Sequence, residues 1–236
     1  MMLSNLEFFS GILDAENENE LLKRISHGAS VLGFDKCLLA VQIHAPMLPR
    51  EQRAVSAYPI GWEQEYGEKG YLQVDPIVRH GVSSSKPLVW SDSVYTKESF
   101  ALMETAHSYG IGYGLCIPLH DQNMSTMMCF ARDKPVLDAE LKELISGARV
   151  LSSLAHMAAG KVTVSHFKST QAPKLTKREL EVLQWIAIGK NQWEISQILK
   201  LSEATVAFHT GNILRKFDVT SRTHVAAKAV ALGLIN

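Results

Sequence analysis

The last sixty residues of the chain carry only the pattern of helices, and this stretch restricts the possible folds more than any other. Thr176 is followed three residues later by Glu179, a capping box in which each side chain satisfies the other residue's backbone N–H. Asn191, Ser202 and Ser221 are each a capping residue that precedes a further run of apolar residues at helical spacing. We therefore predict four consecutive helices in this stretch.

The second and third of these helices are separated only by a tight connection at Leu201 and Ser202, which is typical of a helix-turn-helix motif. In such a motif the second helix enters the major groove of DNA while the first lies across the backbone. We expect this recognition helix to run from about Glu203 to Phe217. The side chains expected to face the domain core are Val206, Phe208, Ile213, Leu214 and Phe217, and those expected to face outward are Ala207, Thr210, Gly211 and Arg215.

Candidate DNA contacts fall into two chemical groups. Polar side chains of the recognition helix that could reach the groove are His209, Thr210 and Asn212, and cations that could hold phosphates are Lys190, Arg215, Lys216 and Arg222. The remaining candidates for the DNA-binding surface are Asn191, Thr205, Ala207 and Gly211. Each of the four cations would equally fit a solvated surface residue, but their clustering near helix starts favours contacts with phosphate.

The charge distribution supports a nucleic-acid partner for this end of the chain alone. The chain as a whole has no net charge, with 24 basic and 24 acidic residues. Residues 174–236 hold nine Lys or Arg and five acids, which leaves fifteen bases and nineteen acids for the rest. A basic end on an acidic body is expected when only that end meets phosphate.

The preceding residues mix helix and strand patterns. Short apolar runs predict strands at 37–43, 54–58, 113–119 and 126–131, and helical spacing predicts helices at 3–13, 18–32, 61–71, 76–82, 97–109 and 137–159. Helices around a central, mostly antiparallel sheet would form an α/β/α sandwich. We therefore predict an α/β sandwich domain over 1–162, a polar linker over 163–174 and an all-α helix-turn-helix domain of four helices over 175–236.

One stretch of the first domain, residues 58–90, gathers five aromatic residues with polar tips around a single acid. The aromatic residues are Tyr58, Trp62, Tyr66, Tyr71 and Trp90, and the acid is Asp75. Such rings supply buried area while the hydroxyl, indole N–H and carboxylate groups fix orientation, which suits a small amphipathic ligand. The other interpretation is an aromatic core cluster in which Asp75 caps the helix that begins at Pro76.

Both parts of the chain resemble one family. The residues LTKRELEVLQWIAIGKNQWEISQILKLSEATVAFHTGNILRKFDVTSRTHVAAKAVALGLI resemble the four-helix DNA-binding domain of the LuxR family over its full length. The pattern YP…W…Y…Y…DP…W followed by YGLCIPLH resembles the autoinducer-binding domain of LuxR-type quorum-sensing receptors. The resemblance implies a transcription regulator that binds an N-acyl-homoserine lactone and double-stranded DNA, acts as a homodimer and contacts RNA polymerase. It also implies that no cofactor is required.

The resemblance further implies roles for individual residues. Trp62 would donate its indole N–H to the lactone carbonyl, Asp75 would accept from the amide N–H, and Tyr58 and Cys129 would hold the amide carbonyl. Many relatives have Ser or Thr where this chain has Cys129, and a thiol is a weaker donor. The other residues implied to line the pocket are Tyr66, Ile77, Trp90, Leu102, Ala106, Ile111, Cys116 and Met127. In the DNA-binding part, the family commonly has larger polar residues where this chain has Ala207 and Gly211.

Three other functions compete with this one. A response regulator would need a phosphate-accepting Asp after the first strand, and none follows KCLLAVQIHA. A hydrolase would combine Cys116 or Cys129 with His107 or His120, but neither an orienting acid nor a nucleophile elbow is evident. A LuxR-type regulator that answers a different molecule, or none, remains open.

The rest of the sequence indicates where such a protein would act. Three cysteines at irregular spacing, each within an apolar run, indicate buried free thiols in a reducing compartment. The first twenty residues lack a basic segment and carry acids early, so they do not resemble a signal peptide. No run of about 18 apolar residues is present. We therefore expect a cytoplasmic protein without a membrane partner.

Overall fold

In the computed structural model of the chain, the described residues are 9, 11–44, 51–164, 167 and 170–235. They fall into two compact units, one ending at 164 and the other beginning after it. Thr163 and Val164 are buried in the first unit, where the Thr163 hydroxyl donates to Glu18 Oε1 at 3.4 Å. These two residues therefore do not belong to the predicted linker, because the chain continues from the last long helix into a buried π turn, Gly160–Val164.

The first unit is built on one five-stranded sheet in the order β2-β1-β5-β4-β3, in which all neighbouring strands are antiparallel. The strands are β1 (Lys36–Ile43), β2 (Glu51–Ser56), β3 (Leu88–Trp90), β4 (Tyr113–His120) and β5 (Met124–Arg132). The helices are α1 (Glu18–Val31), α2 (Ile60–Glu68), α3 (Pro76–Ser83), α4 (Phe100–Ser108) and α5 (Asp138–Ala159). The prediction of an antiparallel sheet between helices is confirmed.

The two faces of the sheet carry different sets of residues, because successive side chains of a strand point to opposite sides. On one face, Cys37, Phe130 and Leu115 lie opposite one another on neighbouring strands and are fully buried. This face is covered by α1 and α5, as shown by the contact between Ser26 Oγ and the Cys37 thiol at 3.5 Å. The other face carries Cys116 and Cys129 among its residues and is covered in part by α3.

Several elements differ from their predicted ranges. The second strand ends at Ser56, two residues before the predicted end, and β3 was not predicted at all. The helix predicted over 61–71 ends at Glu68, because Gly70 takes a left-handed conformation (φ 65°) that starts a 3₁₀ turn. Of the helix predicted over 3–13, residues 3–8 and 10 lie outside the described residues, and 11–13 lie in a 3₁₀ turn, Gly11–Asp14.

From Lys177 to 235, the second unit contains four helices: α6 (Lys177–Ala187), α7 (Gln192–Leu199), α8 (Glu203–Lys216) and α9 (Arg222–Ala231). All four predicted caps are formed, including the Asn191 side chain on Glu194 N at 2.9 Å and Ser202 Oγ on Thr205 N at 3.1 Å. Between α7 and α8 the chain turns through Lys200 in a left-handed conformation (φ 53°). The predicted helix-turn-helix domain is confirmed.

Candidate ligand pocket and DNA-binding surface

The residues predicted to bind a ligand lie together on the second face of the sheet and under α2–α4. Eight are buried within one apolar cluster: Trp62, Ile77, Trp90, Leu102, Ala106, Ile111, Cys116 and Cys129. Tyr58, Tyr66 and Met127 are half-buried and pack against it. Asp75 joins the cluster through its bond to Tyr66. The structure thus gathers all twelve predicted residues, while their binding of a ligand stays a prediction.

The Asp75 carboxylate serves two elements at once. Its Oδ1 accepts the backbone N–H groups of Ile77 at 2.7 Å and Val78 at 3.4 Å, so it caps α3, and its Oδ2 accepts the Tyr66 hydroxyl at 2.9 Å. Burial raises the pKa of this carboxyl group, and the three hydrogen bonds lower it without cancelling the effect of burial. The site therefore holds a carboxylate at a cost, which a further donor would reduce.

Aromatic rings surround this carboxylate with their polar tips already partly engaged. The Trp62 ring lies 5.4 Å from the Tyr66 ring and 6.0 Å from the Tyr109 ring, and the Tyr66 and Tyr71 rings are 6.0 Å apart. Tyr71 donates to the Ala101 carbonyl at 3.2 Å and Tyr109 donates to a carboxylate of α2, whereas Tyr66 is the one bonded to Asp75. The rings thus form a rigid apolar wall with the acid at its edge.

The indole N–H of Trp90 lies within this cluster without a partner. Trp90 is 1% exposed, and its Nε1 finds no acceptor among the described residues. A buried donor left unpaired costs about 1–3 kcal/mol. The ring is held against β4 because Gly114 opposite it has no side chain, and a Cβ there would lie 2.5 Å from the ring. The cluster therefore offers a donor that an acceptor on a ligand would satisfy.

Two thiols form the floor of the cluster. Cys116 and Cys129 are directly opposed on β4 and β5, and both are buried. The neighbouring Cys116 thiol and burial together raise the pKa of Cys129 well above its usual range. Burial also raises the pKa of Cys37, on the other face, to about 11. All three cysteines are free and buried, as predicted, and the pKa shifts favour neutral thiols over reactive thiolates.

Tyr95 and Leu88 also pack against the cluster and were not among the predicted pocket residues. Burial and the charge of Asp75 raise the pKa of Tyr95. Leu88 lies opposite Cys116 and so shares its face of the sheet. Leu88 could have been found by extending the strand register to β3, whereas no local pattern indicates Tyr95.

On the recognition helix α8, two of the predicted orientations are wrong. Phe208 was expected in the core but is 65% exposed, and Thr210 was expected to face outward but is 8% exposed. At 3.6 residues per turn, positions 206, 210, 213 and 217 share one side of the helix, whereas 208 lies almost opposite 206. The position of Thr210 thus decides its burial in spite of its hydroxyl, whose Oγ1 has no partner among the described residues.

The cations predicted to hold phosphate are engaged within the second unit. Lys216 Nζ contacts Glu179 Oε2 at 2.6 Å and the Lys174 carbonyl at 3.0 Å, and Lys190 Nζ contacts Glu194 Oε1 at 2.7 Å. The remaining two make weaker or neutral contacts, Arg215 with Asn212 Oδ1 at 3.3 Å and Arg222 with the Lys190 carbonyl at 2.8 Å.

The other predicted DNA-binding residues differ in their exposure. Asn191, Ala207 and Gly211 are exposed, and Thr205, His209 and Asn212 are half-buried. All six therefore remain accessible, in contrast to Thr210, although Asn191 already uses its side chain to cap α7.

Comparison with known proteins identifies both units. Residues 17–162 match the family described as autoinducer binding domain, and residues 173–229 match the bacterial regulatory proteins of the luxR family. The transcriptional activator protein SolR of Ralstonia nicotianae is 33% identical over 223 residues, which is 94% of each chain. The quorum-sensing regulator RhlR of Pseudomonas aeruginosa is 35% identical over 207 residues, or 86% of this chain and 85% of RhlR. A solved structure of SdiA in complex with octanoyl-rac-glycerol has a TM-score of 0.66 at 26% identity, covering 100% of this chain and 97% of SdiA.

A sheet domain with a buried aromatic cluster, followed by a helix-turn-helix domain, defines a ligand-responsive transcription regulator. The chain belongs to the LuxR family of quorum-sensing transcription regulators. Its first unit is an autoinducer-binding domain for a small molecule, and its second unit is a DNA-binding domain. No helix in the described part of the chain is both long enough and apolar enough to cross a membrane.

Proposed function

We propose that the first unit binds an N-acyl-homoserine lactone in the aromatic cluster. The observation that carries this proposal is the buried Asp75 carboxylate, which uses three acceptor sites internally and keeps capacity for one more donor. The amide N–H of the lactone supplies that donor. Trp62 donates its indole N–H to the lactone carbonyl, and Tyr58 and Cys129 hold the amide carbonyl.

The acyl chain packs against the apolar part of the cluster. Ile77, Leu102 and Met127 lie there among aliphatic and sulfur-containing side chains, and each CH₂ of the chain that becomes buried contributes about 0.8 kcal/mol. The ligand's polar head, satisfied by Asp75 and an indole N–H, fixes the orientation in which the chain enters.

A thermal-shift panel tests this proposal. The full chain is heated with lactones of different acyl length and 3-substituent, and at least one member is expected to raise Tm, because a ligand that binds only the folded state stabilises it. Mass spectrometry of ligand extracted from the expressed protein identifies the molecule that copurifies. Absence of any shift across the whole panel, together with a different extracted molecule, refutes the lactone proposal.

A second candidate ligand is favoured by one comparison. The solved SdiA structure holds octanoyl-rac-glycerol, which has an acyl chain but no amide N–H. An acylglycerol would occupy the same apolar surface and leave Asp75 without the amide donor. Including 1-octanoyl-rac-glycerol in the panel separates the two: a lactone receptor loses its response with Asp75→Asn, whereas an acylglycerol receptor retains it.

We further propose that the protein is a cytoplasmic homodimer in which ligand binding in the first unit promotes pairing of two copies and positions two helix-turn-helix units on one operator. RNA polymerase is then the partner through which transcription changes. Two half-sites supply the affinity that one small domain lacks. Light scattering with and without the stabilising lactone tests pairing, and an unchanged monomer mass with ligand present contradicts it.

The chain acts in this proposal as a receptor and not as an enzyme. Both thiols of the pocket are buried, and the neighbouring Cys116 thiol together with burial raises the pKa of Cys129, so we expect neither thiol to attack a lactone carbonyl. Incubation of the lactone with stoichiometric protein, followed by mass spectrometry, is expected to return it unchanged. Accumulation of the ring-opened acid would contradict a receptor role.

A further inference from the structure

The exposed side of the recognition helix α8 carries almost no hydrogen-bonding groups. Ala204, Ala207, Phe208, Gly211 and Arg215 are all exposed, and at 3.6 residues per turn they lie on one side of the helix within about 100°. This side is opposite the side that packs into the core of the second unit. Only the last of the five residues carries a polar group.

Phe208 projects from one edge of this stripe, near the middle of the helix along its axis. Its ring is 65% exposed and makes an edge contact with His209 at 5.7 Å between centroids, while the core of the second unit is formed without it. Its neighbours on the stripe are small, and a Cβ placed on Gly211 would have nothing within 4 Å. A base edge could therefore approach the ring and the adjacent backbone closely.

Apart from Arg215, the polar residues of α8 lie to the side of this stripe. Thr205 and Asn212 are half-buried, and Asn212 Oδ1 accepts from the Arg215 guanidinium at 3.3 Å. Bidentate recognition of guanine or adenine needs a side chain such as Arg, Lys, Asn or Gln that faces the base edge. On this stripe only Arg215 is of that kind, and it lies in the last turn of α8, so Ala204, Ala207, Phe208 and Gly211 offer the bases no hydrogen-bonding side chain.

We propose that Phe208 determines operator specificity by packing against the C5-methyl groups of thymines in the major groove, with Ala207 and Gly211 leaving room for the base edge. Among the four bases only thymine presents a methyl group in the major groove, and apolar side chains recognise it by contact. The inference rests on the proposed binding of duplex DNA by the second unit, and it adds the base and the residue that reads it.

The test replaces single methyl groups in the DNA. The full chain, bound to the stabilising lactone, first selects duplexes from a random library, and each thymine of the best duplex is then replaced in turn by deoxyuridine, which lacks only the methyl group. At contacted thymines we expect binding to weaken about fourfold, the effect of removing one buried methyl-sized group. Phe208→Ala is expected to bind the original duplex and the duplexes with deoxyuridine at those positions equally well.

Matched variants distinguish a specific contact from a general loss. Phe208→Leu keeps an apolar side chain and should retain part of the uridine effect, and Leu137→Ala, at a residue 63% exposed in the first unit, should retain all of it. Thermal unfolding of Phe208→Ala should be unchanged, because an exposed ring contributes little to the core.

Three results would overturn the proposal. Uridine could weaken binding at no position, or it could weaken binding equally in Phe208→Ala and the unmodified chain. In either case duplex binding by the second unit still stands. If the chain selects no duplex over random sequence in any condition, the proposed function fails and this inference fails with it.

Discussion

Replacing Asp75 by asparagine separates the two tasks of this residue. The neutral amide can still cap α3, since Asn Oδ1 can accept the N–H of Ile77 as the carboxylate does at 2.7 Å. Its Nδ2 faces the Tyr66 hydroxyl, which donates to Asp75 Oδ2 at 2.9 Å in the native site. Because an amide nitrogen donates and does not accept, Tyr66 must turn its hydroxyl, and no acceptor remains for the amide N–H of a lactone.

The expected loss follows from the charge on the native acceptor. A hydrogen bond to a charged group contributes about 1.5–3 kcal/mol, so the lactone should bind about 10-fold to 150-fold more weakly. Unliganded stability should change by no more than about 1 kcal/mol, because the lost charge-assisted bonds oppose the relief of desolvation that raises the pKa of the native carboxyl. The substitution thus acts on binding far more than on folding.

Ligand-induced stabilisation measures this difference directly. With lactone at about 100 times its native Kd, the native protein gains about 2.7 kcal/mol, and a variant with 100-fold weaker binding gains only about 0.4 kcal/mol. Chemical denaturation with and without lactone gives both values, and a reporter strain gives the matching shift in dose response.

A matched control is provided by Asp121→Asn. Asp121 also accepts two backbone N–H groups, those of Asn123 at 2.6 Å and Met124 at 2.8 Å, but it lies in the β4–β5 turn and is exposed. This variant should lose stability without losing lactone affinity. If Asp75→Asn binds the lactone within a factor of two of the native protein, the assigned role of Asp75 is refuted.

Three further predictions follow from contacts elsewhere in the chain. Burial alone would raise the pKa of Glu179, but bonds from Lys216 and the backbone lower it. The contribution of Glu179 to the stability of the second unit is therefore present above pH 4.5 and is lost as the pH falls through the lowered pKa. Glu179→Gln should reduce the stability by about 1–3 kcal/mol at neutral pH, and denaturation curves should then show a weaker loss of stability in acid. Gly114→Ala should destabilise the first unit by about 1–3 kcal/mol or more, since its Cβ would clash with the backbone carbonyl of Phe130. Gly67→Ala, whose Cβ would meet nothing within 4 Å, should be neutral or stabilising in the same thermal melts. Ser202→Ala should cost about 0.5–2 kcal/mol by removing the cap of α8, and calorimetry that shows no change would contradict the capping role.

Features fixed by neighbouring residues could be predicted from the sequence. The caps at Asn191 and Ser202 depend on side chains that reach only three residues along the chain, so the beginnings of α7 and α8 agree with the predictions. The same is true of β4 and β5, which are joined by a short turn and differ from the predicted strands by at most two residues at either end. The sheet follows because these long apolar strands can pair with one another and with β1.

Features that depend on distant residues could not be predicted. The edge strand β3 is only three residues long, and its pairing with β4 spans more than twenty residues. The prediction for Phe208 was wrong for a different reason. Its apolar character favours the core, but its position on the helix places it almost opposite Val206. Thr210 shows the converse, because its position on the helix buries a hydroxyl group that its residue type alone would place in water.

The arrangement of charge in the second unit bears on the proposed control of DNA binding by a ligand in the first unit. Lys190 and Lys216 each hold an internal carboxylate, at 2.7 and 2.6 Å, so a phosphate must compete with that carboxylate for either cation. Arg215 is exposed, and its partner among the described residues is the neutral Asn212, so we expect it to be the stronger phosphate contact. Each phosphate neutralised adds about 0.9 to the slope of log affinity against log salt. We therefore expect a single copy to bind weakly, and pairing of two copies to multiply the affinity by doubling the number of contacts. If the ligand governs pairing, a small gain in the stability of the first unit leads to a large gain in operator occupancy. The slope of log affinity against log salt concentration should then be about twice as steep with lactone as without it.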